Sequence, residues 1–416
     1  MKIAKLFCAF LLLAAIPICA QESARPADDR DHPPAPKVVG YFPQWGVYGG
    51  YVFGSYFVKN VITTGAATRL THLNYAFANV VNNQCASFDT YADYQYAFTA
   101  DETVDGKADS QDPNAFVGNF HQLQELKRRY PDLHIVMSIG GGSADPNAFS
   151  TAALPENRKA FVKSCIDMYI RGNFAPGIHE PGIFDGLDID WEFPATPADE
   201  TNFTALLKEF REQLDRIHPG MTLSIAAPAG SWAYQFINLE KIQHVLSYFN
   251  LMNYDFDGPW NYTTGFVAPL YRSVLDPDAT NNADYAVQSY LGMGVAPEKI
   301  VFGVPFYGYE WTDVPNVNDG LFEPGTPEGY GSEYNYIVTV ESQFKKFRDP
   351  ITKAPWLYDG NNFWTYDDAV SLEFKMDYVK EHRLGGVMIW EISGDLPNGL
   401  LLKTLVKGLQ DKPCDD

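Results

Sequence analysis

Four carboxylates stand within eight positions of one apolar segment, residues 184–194, which reads FDGLDIDWEFP. They belong to Asp185, Asp188, Asp190 and Glu192. Because side chains alternate along a strand, Asp188, Asp190 and Glu192 are expected on one face. Carboxylates this close together cannot all ionise independently, so at least one pKa must rise. A carboxyl group that stays protonated near neutral pH can act as a general acid.

Two other interpretations of this segment are a solvated acidic strand and a metal cage. A solvated strand would not carry Ile189, Trp191 and Phe193 between its charged residues. A calcium-binding loop needs its glycine and its ligands at other spacings. The composition of the segment therefore favours a catalytic site.

The segment resembles the signature of family 18 glycoside hydrolases, the chitinase family, whose pattern is D-x-x-D-x-D-x-E. The four carboxylates match it without a gap, and the following WEFP is close to the chitinase form, which more often has Tyr where Phe193 stands. The resemblance runs from about residue 37 to about residue 409. It implies a secreted enzyme that hydrolyses β-1,4-linked N-acetylglucosamine with retention, using the substrate's own N-acetyl carbonyl as nucleophile.

The resemblance also implies a role for each carboxylate. Glu192 would protonate the leaving oxygen and later activate water. Asp190 would hold the acetamido N–H, and Asp188, deeper in the fold, would share a proton with Asp190. Asp185 has the opposite strand parity and precedes Gly186, so a structural role is expected for it.

Residues 252–255, MNYD, resemble the family's M-x-Y-D element. Tyr254 would donate its hydroxyl to the acetamido oxygen and orient the nucleophile. Asp255 would bind a sugar hydroxyl or the acetamido group, and Met252 would form the floor of the pocket. Without its place in this motif, a Tyr-Asp pair would indicate little.

Four aromatic residues match positions where the family binds sugar. Trp390 would lie under the reacting sugar, because indole offers a flat apolar face to a pyranose. Trp260 would form a platform on the leaving-group side. Tyr41 and Phe77 are expected to line the pocket, with core packing as the alternative for Phe77.

Two departures from the family pattern affect sugar contacts. Residues 138–141, SIGG, match a family motif in which Ser138 is expected to bond to Asp185 or Asp188. A tryptophan often follows that motif, whereas this chain has Gly142. Tyr309 stands where arginine commonly follows Gly308, and Trp45, Tyr48 and Tyr51 are candidates to replace the lost contacts.

The elements that must position these residues alternate between apolar strand-like runs and longer helix-patterned stretches, which indicates a parallel sheet. Strands are predicted over residues 37–42, 70–77, 134–139, 184–190, 221–227, 248–254, 299–305 and 385–390. Helices are predicted over residues 157–171, 202–217, 282–292 and 366–382. Eight such strands fit a (β/α)₈ TIM barrel, whose active site lies at the carboxyl ends of the strands.

One segment is too long for an ordinary barrel connection. Residues 311–384 are predicted to form a small inserted α+β subdomain between the last two strands. Residues 334–340, YNYIVTV, are predicted to form a strand in it. In many family members an insertion here forms one wall of a deep groove.

The start of the chain predicts export. Residues 1–20 are typical of a signal peptide, and residues 21–36 of a flexible lead-in, which leaves a catalytic domain over residues 37–410. Lipoprotein anchoring through Cys19 is disfavoured because bulky Ile18 precedes it. The remaining cysteines, Cys85, Cys165 and Cys414, are odd in number and widely spaced, which predicts neither a disulfide framework nor a zinc site.

A formal net charge of −21 makes nucleic acid and anionic membranes unfavourable partners, whereas a neutral polymer is compatible. The expected partners are chitin or N-acetylglucosamine oligosaccharides, with no metal, organic cofactor or obligate protein partner implied. Two other functions remain open. One is an endo-β-N-acetylglucosaminidase acting on N-glycans, and the other is a chitin-binding lectin without catalysis.

Overall fold

The structure, a computed structural model, describes residues 35–112 and 114–410. At its centre eight strands form a closed barrel: Lys37–Pro43, His72–Val81, His134–Gly140, Gly186–Asp190, Thr222–Pro228, Tyr248–Met252, Ile300–Pro305 and Gly386–Trp390. Each strand pairs in parallel with the next, and the eighth pairs with the first, which closes the barrel. The predicted TIM barrel is therefore confirmed, and each predicted strand overlaps an observed one.

Local capping explains where several helices begin. Thr196, Asn282 and Asp368 each accept a hydrogen bond from the backbone N–H three residues further on, which satisfies a donor in the first turn. The four predicted helices are observed as Pro155–Cys165, continued by the π-helical Ile166–Ile170, and as Pro197–Asp215, Ala283–Gly292 and Ala369–Glu381. The other helices are Val58–Thr63, Thr90–Tyr94, Gly118–Arg129, Pro146–Ala152, Ser231–Tyr234, Leu239–Ile242, Tyr334–Val340 and Leu400–Gln410.

Between the seventh and eighth barrel strands lies a second, antiparallel sheet. Its strands are Tyr307–Thr312, Thr326–Pro327, Ser332–Glu333, Lys345–Arg348, Pro355–Tyr358 and Phe363–Tyr366. The sheet runs over residues 307–366, against expected bounds of about 311–384. Because its first strand follows the seventh barrel strand almost directly, the sheet begins beside the carboxyl end of the barrel. Smaller strands are Gln84–Ser87, which extends the second barrel strand, and the pair Asn173–Ala175 and Ile178–His179.

The strand prediction for residues 334–340 is wrong, because Tyr334–Val340 is an α-helix. Tyr334 and Ile337 lie one turn apart and are both buried. The Asn335 amide donates to the backbone carbonyls of Ser393 (2.9 Å) and Asp395 (3.2 Å). These long-range contacts require helical spacing, and they override the β propensity of the sequence.

The cysteine prediction is also wrong, because Cys85 and Cys165 form a disulfide with a Cα–Cα distance of 4.9 Å. The bond joins the strand Gln84–Ser87 to the end of the helix Pro155–Cys165. The two residues are 80 positions apart, so only the fold reveals the pairing. Cys414, the predicted signal peptide and nearly all of the lead-in lie outside the described residues. Within the described ranges, no helix is both long and apolar enough to cross a membrane.

Candidate active site

Asp188 is fully buried, and its carboxylate accepts four hydrogen bonds. Oδ2 accepts from the Tyr41 hydroxyl (2.7 Å) and the Ser138 hydroxyl (2.8 Å). Oδ1 accepts from the Ser224 hydroxyl (2.6 Å) and the Asn250 amide (3.2 Å). Burial raises the pKa of Asp188, and the four donors oppose that rise. Ser138 therefore contacts Asp188, one of its two expected partners.

Asp190, two residues further along the same strand, has a different environment. Its Oδ1 is buried and has no hydrogen-bond partner among the described residues. Burial raises the pKa of Asp190 well above its usual range, and the charges of Glu192 and Asp188 raise it further. Because the donors surround Asp188, this asymmetry favours a proton on Asp190. Sharing of one proton between the two groups stays a prediction.

Glu192 lies just past the end of the fourth barrel strand and is half-buried. Burial, followed by the negative charge of Asp255, raises the pKa of Glu192 to about 7. A Cβ added at Gly142 would stand 3.6 Å from Oε1 of Glu192. A side chain at position 142 would therefore contact the acid, and glycine leaves that side of the carboxyl group uncovered.

A cavity of about 760 Å³ lies at the carboxyl end of the barrel. It brings together five of the predicted site residues, Glu192, Met252, Tyr254, Asp255 and Trp260. Its volume is within the range of small-molecule binding sites. We refer to it as the acid-side cavity, since the Glu192 carboxyl borders it.

Tyr254 and Asp255 present different groups to this cavity. The buried Tyr254 hydroxyl donates to Sδ of Met388 at 3.8 Å, and a thioether is a weak acceptor, so the hydroxyl can turn to donate to a ligand. Oδ1 of Asp255 accepts from the hydroxyls of Tyr307 (2.5 Å) and Tyr309 (2.8 Å). At position 309 a neutral donor thus replaces the arginine common in the family.

A second cavity of about 400 Å³ is lined by Trp390, Trp45 and Asp255, among others. Because Asp255 borders both cavities, the two are adjacent. Trp390 packs against Tyr41 and Phe77, at centroid distances of 5.4 and 5.5 Å. The structure thus places Tyr41 and Phe77 against Trp390, and neither lines these two cavities.

The aromatic residues that follow the first strand, named above as candidates for sugar contacts, lie in different environments. Trp45 lines the second cavity and packs against Trp390 at 6.3 Å. The Tyr51 hydroxyl donates to Glu391 at 3.2 Å, and Glu391 borders the same cavity. Tyr48 instead bonds to Asp89. Of the three aromatic candidates, Trp45 lines the second cavity, Tyr51 is linked to it through Glu391, and Tyr48 lines neither cavity.

Asp185 lies apart from the other carboxylates of the segment. Its Oδ2 accepts from Lys127 Nζ (2.6 Å) and from the backbone N–H of Ile135 (2.7 Å). These bonds tie the residue before the fourth strand to the third strand and to the helix Gly118–Arg129, which is a structural contact of the expected kind.

Several residues of the site were not predicted. Ser224 and Asn250 donate to Asp188, Tyr307 donates to Asp255, and Trp232 lines the acid-side cavity. The sequence could have pointed to Ser224 and Asn250, since each is a polar residue inside an otherwise apolar barrel strand. Across the described residues, no group of three or more His, Cys, Asp or Glu side chains is placed to hold a metal ion.

Comparison with known proteins identifies related chains. The family model for glycosyl hydrolases family 18 matches residues 37–395. Chitinase C of Streptomyces lividans is 34% identical over 376 residues, which cover 87% of this chain and 58% of the relative. Chitinase 63 of Streptomyces plicatus is 32% identical over 394 residues, covering 91% and 61% respectively. This chain thus spans about six tenths of the length of these two curated relatives.

Among solved structures, the catalytic domain of psychrophilic chitinase B from Arthrobacter TAD20 superposes with a TM-score of 0.83 at 34% identity. The match covers 90% of this chain and 95% of that domain.

Proposed function

Because the chain belongs to glycosyl hydrolases family 18, we propose that it is a chitinase that hydrolyses β-1,4-linked N-acetylglucosamine polymers and oligomers with retention of configuration. One observation carries the proposal. The half-buried Glu192 has a pKa raised to about 7 and borders the same cavity as Tyr254 and Asp255. A carboxyl group protonated near neutral pH there meets the requirement for a general acid.

In the first step the acetamido carbonyl oxygen of the reacting sugar forms a bond to C1 as the glycosidic bond breaks. Glu192 delivers its proton to the leaving oxygen, and the sugar becomes a cyclic oxazolinium ion. In the second step the Glu192 carboxylate takes a proton from water, whose oxygen attacks C1 and reopens the ring. Two displacements at C1 return the original anomeric configuration.

The neighbouring groups position and stabilise the acetamido group. Tyr254 donates its hydroxyl to the carbonyl oxygen and fixes the angle of attack. Asp190 holds the acetamido N–H, and its ionised form offsets the positive charge that develops on the ring. Asp188 shares a proton with Asp190, and the hydrogen bonds with Tyr41, Ser138, Ser224 and Asn250 hold its carboxyl group in position.

The experiment is incubation of the purified protein with N-acetylchitohexaose, with separation of products and of their anomers at early times. We expect shorter N-acetylchitooligosaccharides whose new reducing ends are β, and inhibition by a thiazoline analogue of the cyclised sugar. Folded protein that cleaves no oligomer at any pH would contradict the proposal. So would α-configured initial products.

The same assays separate the two other functions. Release of glycan from a high-mannose glycoprotein, without cleavage of the hexamer, would indicate an endo-β-N-acetylglucosaminidase. Binding of the hexamer without hydrolysis would indicate a lectin. Export, to the periplasm or the medium, is part of the proposal and rests on residues 1–20. N-terminal sequencing of the mature protein tests it.

A further inference from the structure

Asp93 is a buried carboxylate that the catalytic scheme does not use. It belongs to the short helix Thr90–Tyr94, is 1% exposed and lines neither of the two cavities. Its carboxylate accepts hydrogen bonds from Nε2 of Gln44 (2.5 Å) and from the hydroxyls of Tyr75 (2.6 Å) and Ser87 (2.5 Å). A carboxylate is costly to bury, and these three donors offset that cost, so Asp93 and its donors are held together as one unit.

Gln44 is fixed at both its side chain and its backbone. It begins the 3₁₀ helix Gln44–Tyr48, which we call the Trp45 segment. The Gln44 amide donates to Asp93, and its backbone carbonyl accepts from Nδ2 of Asn119 at 3.1 Å. Nδ2 of Asn119 also donates to the Tyr75 hydroxyl at 3.0 Å, so it joins the same network. Gln44, Asn119 and Tyr75 are all buried, so water does not compete for these bonds.

The helix Thr90–Tyr94 also holds the other end of the Trp45 segment. The Tyr48 hydroxyl donates to Oδ2 of Asp89, the residue that caps this helix. Between the two ends, Val47 and Ala92 are buried in one apolar cluster. The helix therefore holds the segment at its first residue, through Asp93, and at its last residue, through Asp89.

The Trp45 segment carries one side chain into the second cavity. Trp45 directly follows Gln44, is 40% exposed and lines that cavity. Its indole packs against Trp390 and Phe77, each at a centroid distance of 6.3 Å. A change in the backbone position of Gln44 would therefore move the indole relative to Trp390.

The second cavity lies on the side of the cleaved bond away from the leaving group. Trp390, the expected floor under the reacting sugar, borders this cavity, whereas Glu192 borders the acid-side cavity. Because the acid must face the leaving oxygen, the second cavity receives the sugars that precede the cleaved bond. Trp45 is thus placed to contact those preceding sugars.

We propose that Asp93 is a positioning residue for substrate binding: by holding Gln44, it fixes the orientation of Trp45 and so sets the affinity for the sugars that precede the reacting one. This inference rests on the proposed chitinase function. Asp93 contacts neither the cavities nor the reacting groups. Its loss should therefore weaken the binding of long substrates and leave the chemistry on short substrates unchanged.

The test uses the 4-methylumbelliferyl β-glycosides of N-acetylchitobiose and N-acetylchitotetraose, which share a leaving group and differ in the number of preceding sugars. The ratio of kcat/KM for aryl release, tetramer to dimer, measures what the extra sugars contribute. Trp45→Ala should lower this ratio about tenfold, as for loss of a tryptophan anchor. Asp93→Ala and Gln44→Met should each lower it about threefold to fivefold, mainly through KM, because the indole remains but is no longer fixed.

A double variant separates positioning from a general loss of structure. If Asp93 acts through Trp45, adding Asp93→Ala to Trp45→Ala should lower the ratio no further. A further fall would show that Asp93 acts by another route and would overturn the inference. Asp368→Ala is the matched control, because Asp368 is a buried carboxylate that also accepts several hydrogen bonds and lines neither cavity. It should leave the ratio unchanged.

The outcomes distinguish this inference from the function on which it rests. Wild-type protein that cleaves neither glycoside contradicts the proposed function. Wild-type activity without preference for the longer glycoside, or an unchanged ratio in both Asp93→Ala and Gln44→Met, overturns the positioning role alone. Thermal unfolding of each variant identifies a loss of folding, and Gln44→Met decides the matter where Asp93→Ala does not fold.

Discussion

Replacing Glu192 by glutamine should stabilise the protein in a pH-dependent way. Glu192 ordinarily has a pKa of 4.5, and the folded protein raises it to about 7, first through burial and then through the charge of Asp255. The folded state therefore binds this proton more tightly than the unfolded state. The contribution of Glu192 to the stability of the wild type therefore falls as pH rises from about 4.5 to about 7, and then levels off.

The size of the effect follows from that pKa change. At about 1.36 kcal/mol per pKa unit, the interval from 4.5 to about 7 sets an upper limit of about 3 kcal/mol. Glu192 is only half-buried, so solvent screening reduces the expected gain to about 2 kcal/mol. Glutamine has a similar shape and no charge, so Glu192→Gln should gain this amount at pH 8 and almost nothing at pH 4.

The assay is urea unfolding of the wild type and Glu192→Gln at pH 4 and pH 8. The slopes of the free energy of unfolding against urea concentration are compared, to check that both proteins expose the same surface area on unfolding. Glu373→Gln, at an exposed position on the helix Ala369–Glu381, is the control and should change the free energy of unfolding by less than about 0.5 kcal/mol at both pH values. An equal free energy difference between wild type and Glu192→Gln at the two pH values would refute the reasoning.

Three further predictions concern catalysis and the disulfide. Glu192→Gln should lower kcat/KM for N-acetylchitohexaose by about 10²- to 10⁴-fold, because the proton donor is lost, and steady-state kinetics would measure this. Asp255→Asn should move the alkaline limb of the pH profile of kcat/KM to lower pH by up to about one unit, because the Asp255 charge helps to raise the pKa of Glu192. A pH–rate profile whose alkaline limb does not move would contradict this prediction. Replacing Cys85 and Cys165 together by serine should lower the free energy of unfolding by about 4 kcal/mol, from the 80-residue separation, with unfolding under reducing conditions as the comparison.

The barrel could be predicted from the sequence because each of its strands is buried on both faces. Such strands form short apolar runs, and the active-site rule for barrels then places the residues at their ends together. Glu192, Tyr254, Asp255 and Trp260 meet at one cavity for this reason, although they come from different strands and loops. These residues were predicted from the resemblance to the family motifs at the ends of the fourth and sixth strands, and each motif is local in sequence.

Features that depend on distant contacts could not be predicted in this way. The Cys85–Cys165 bond and the helix Tyr334–Val340 arise from packing between segments far apart in sequence. Trp232 was missed because a tryptophan two residues after a glycine carries no local sign of a ligand site. Its relation to the acid becomes visible only when the loop after the fifth strand is placed beside Phe193.

The four hydrogen-bond donors to Asp188 limit which substitutions this position can tolerate during evolution. They come from the first, third, fifth and sixth barrel strands and bind one side chain of the fourth. This carboxylate therefore links five of the eight barrel strands through hydrogen bonds. Substitution there would orphan several buried polar groups at once, at about 1 to 3 kcal/mol for each. Random mutagenesis followed by selection for soluble protein should therefore leave position 188 nearly invariant, while position 192 drifts freely once turnover is no longer required.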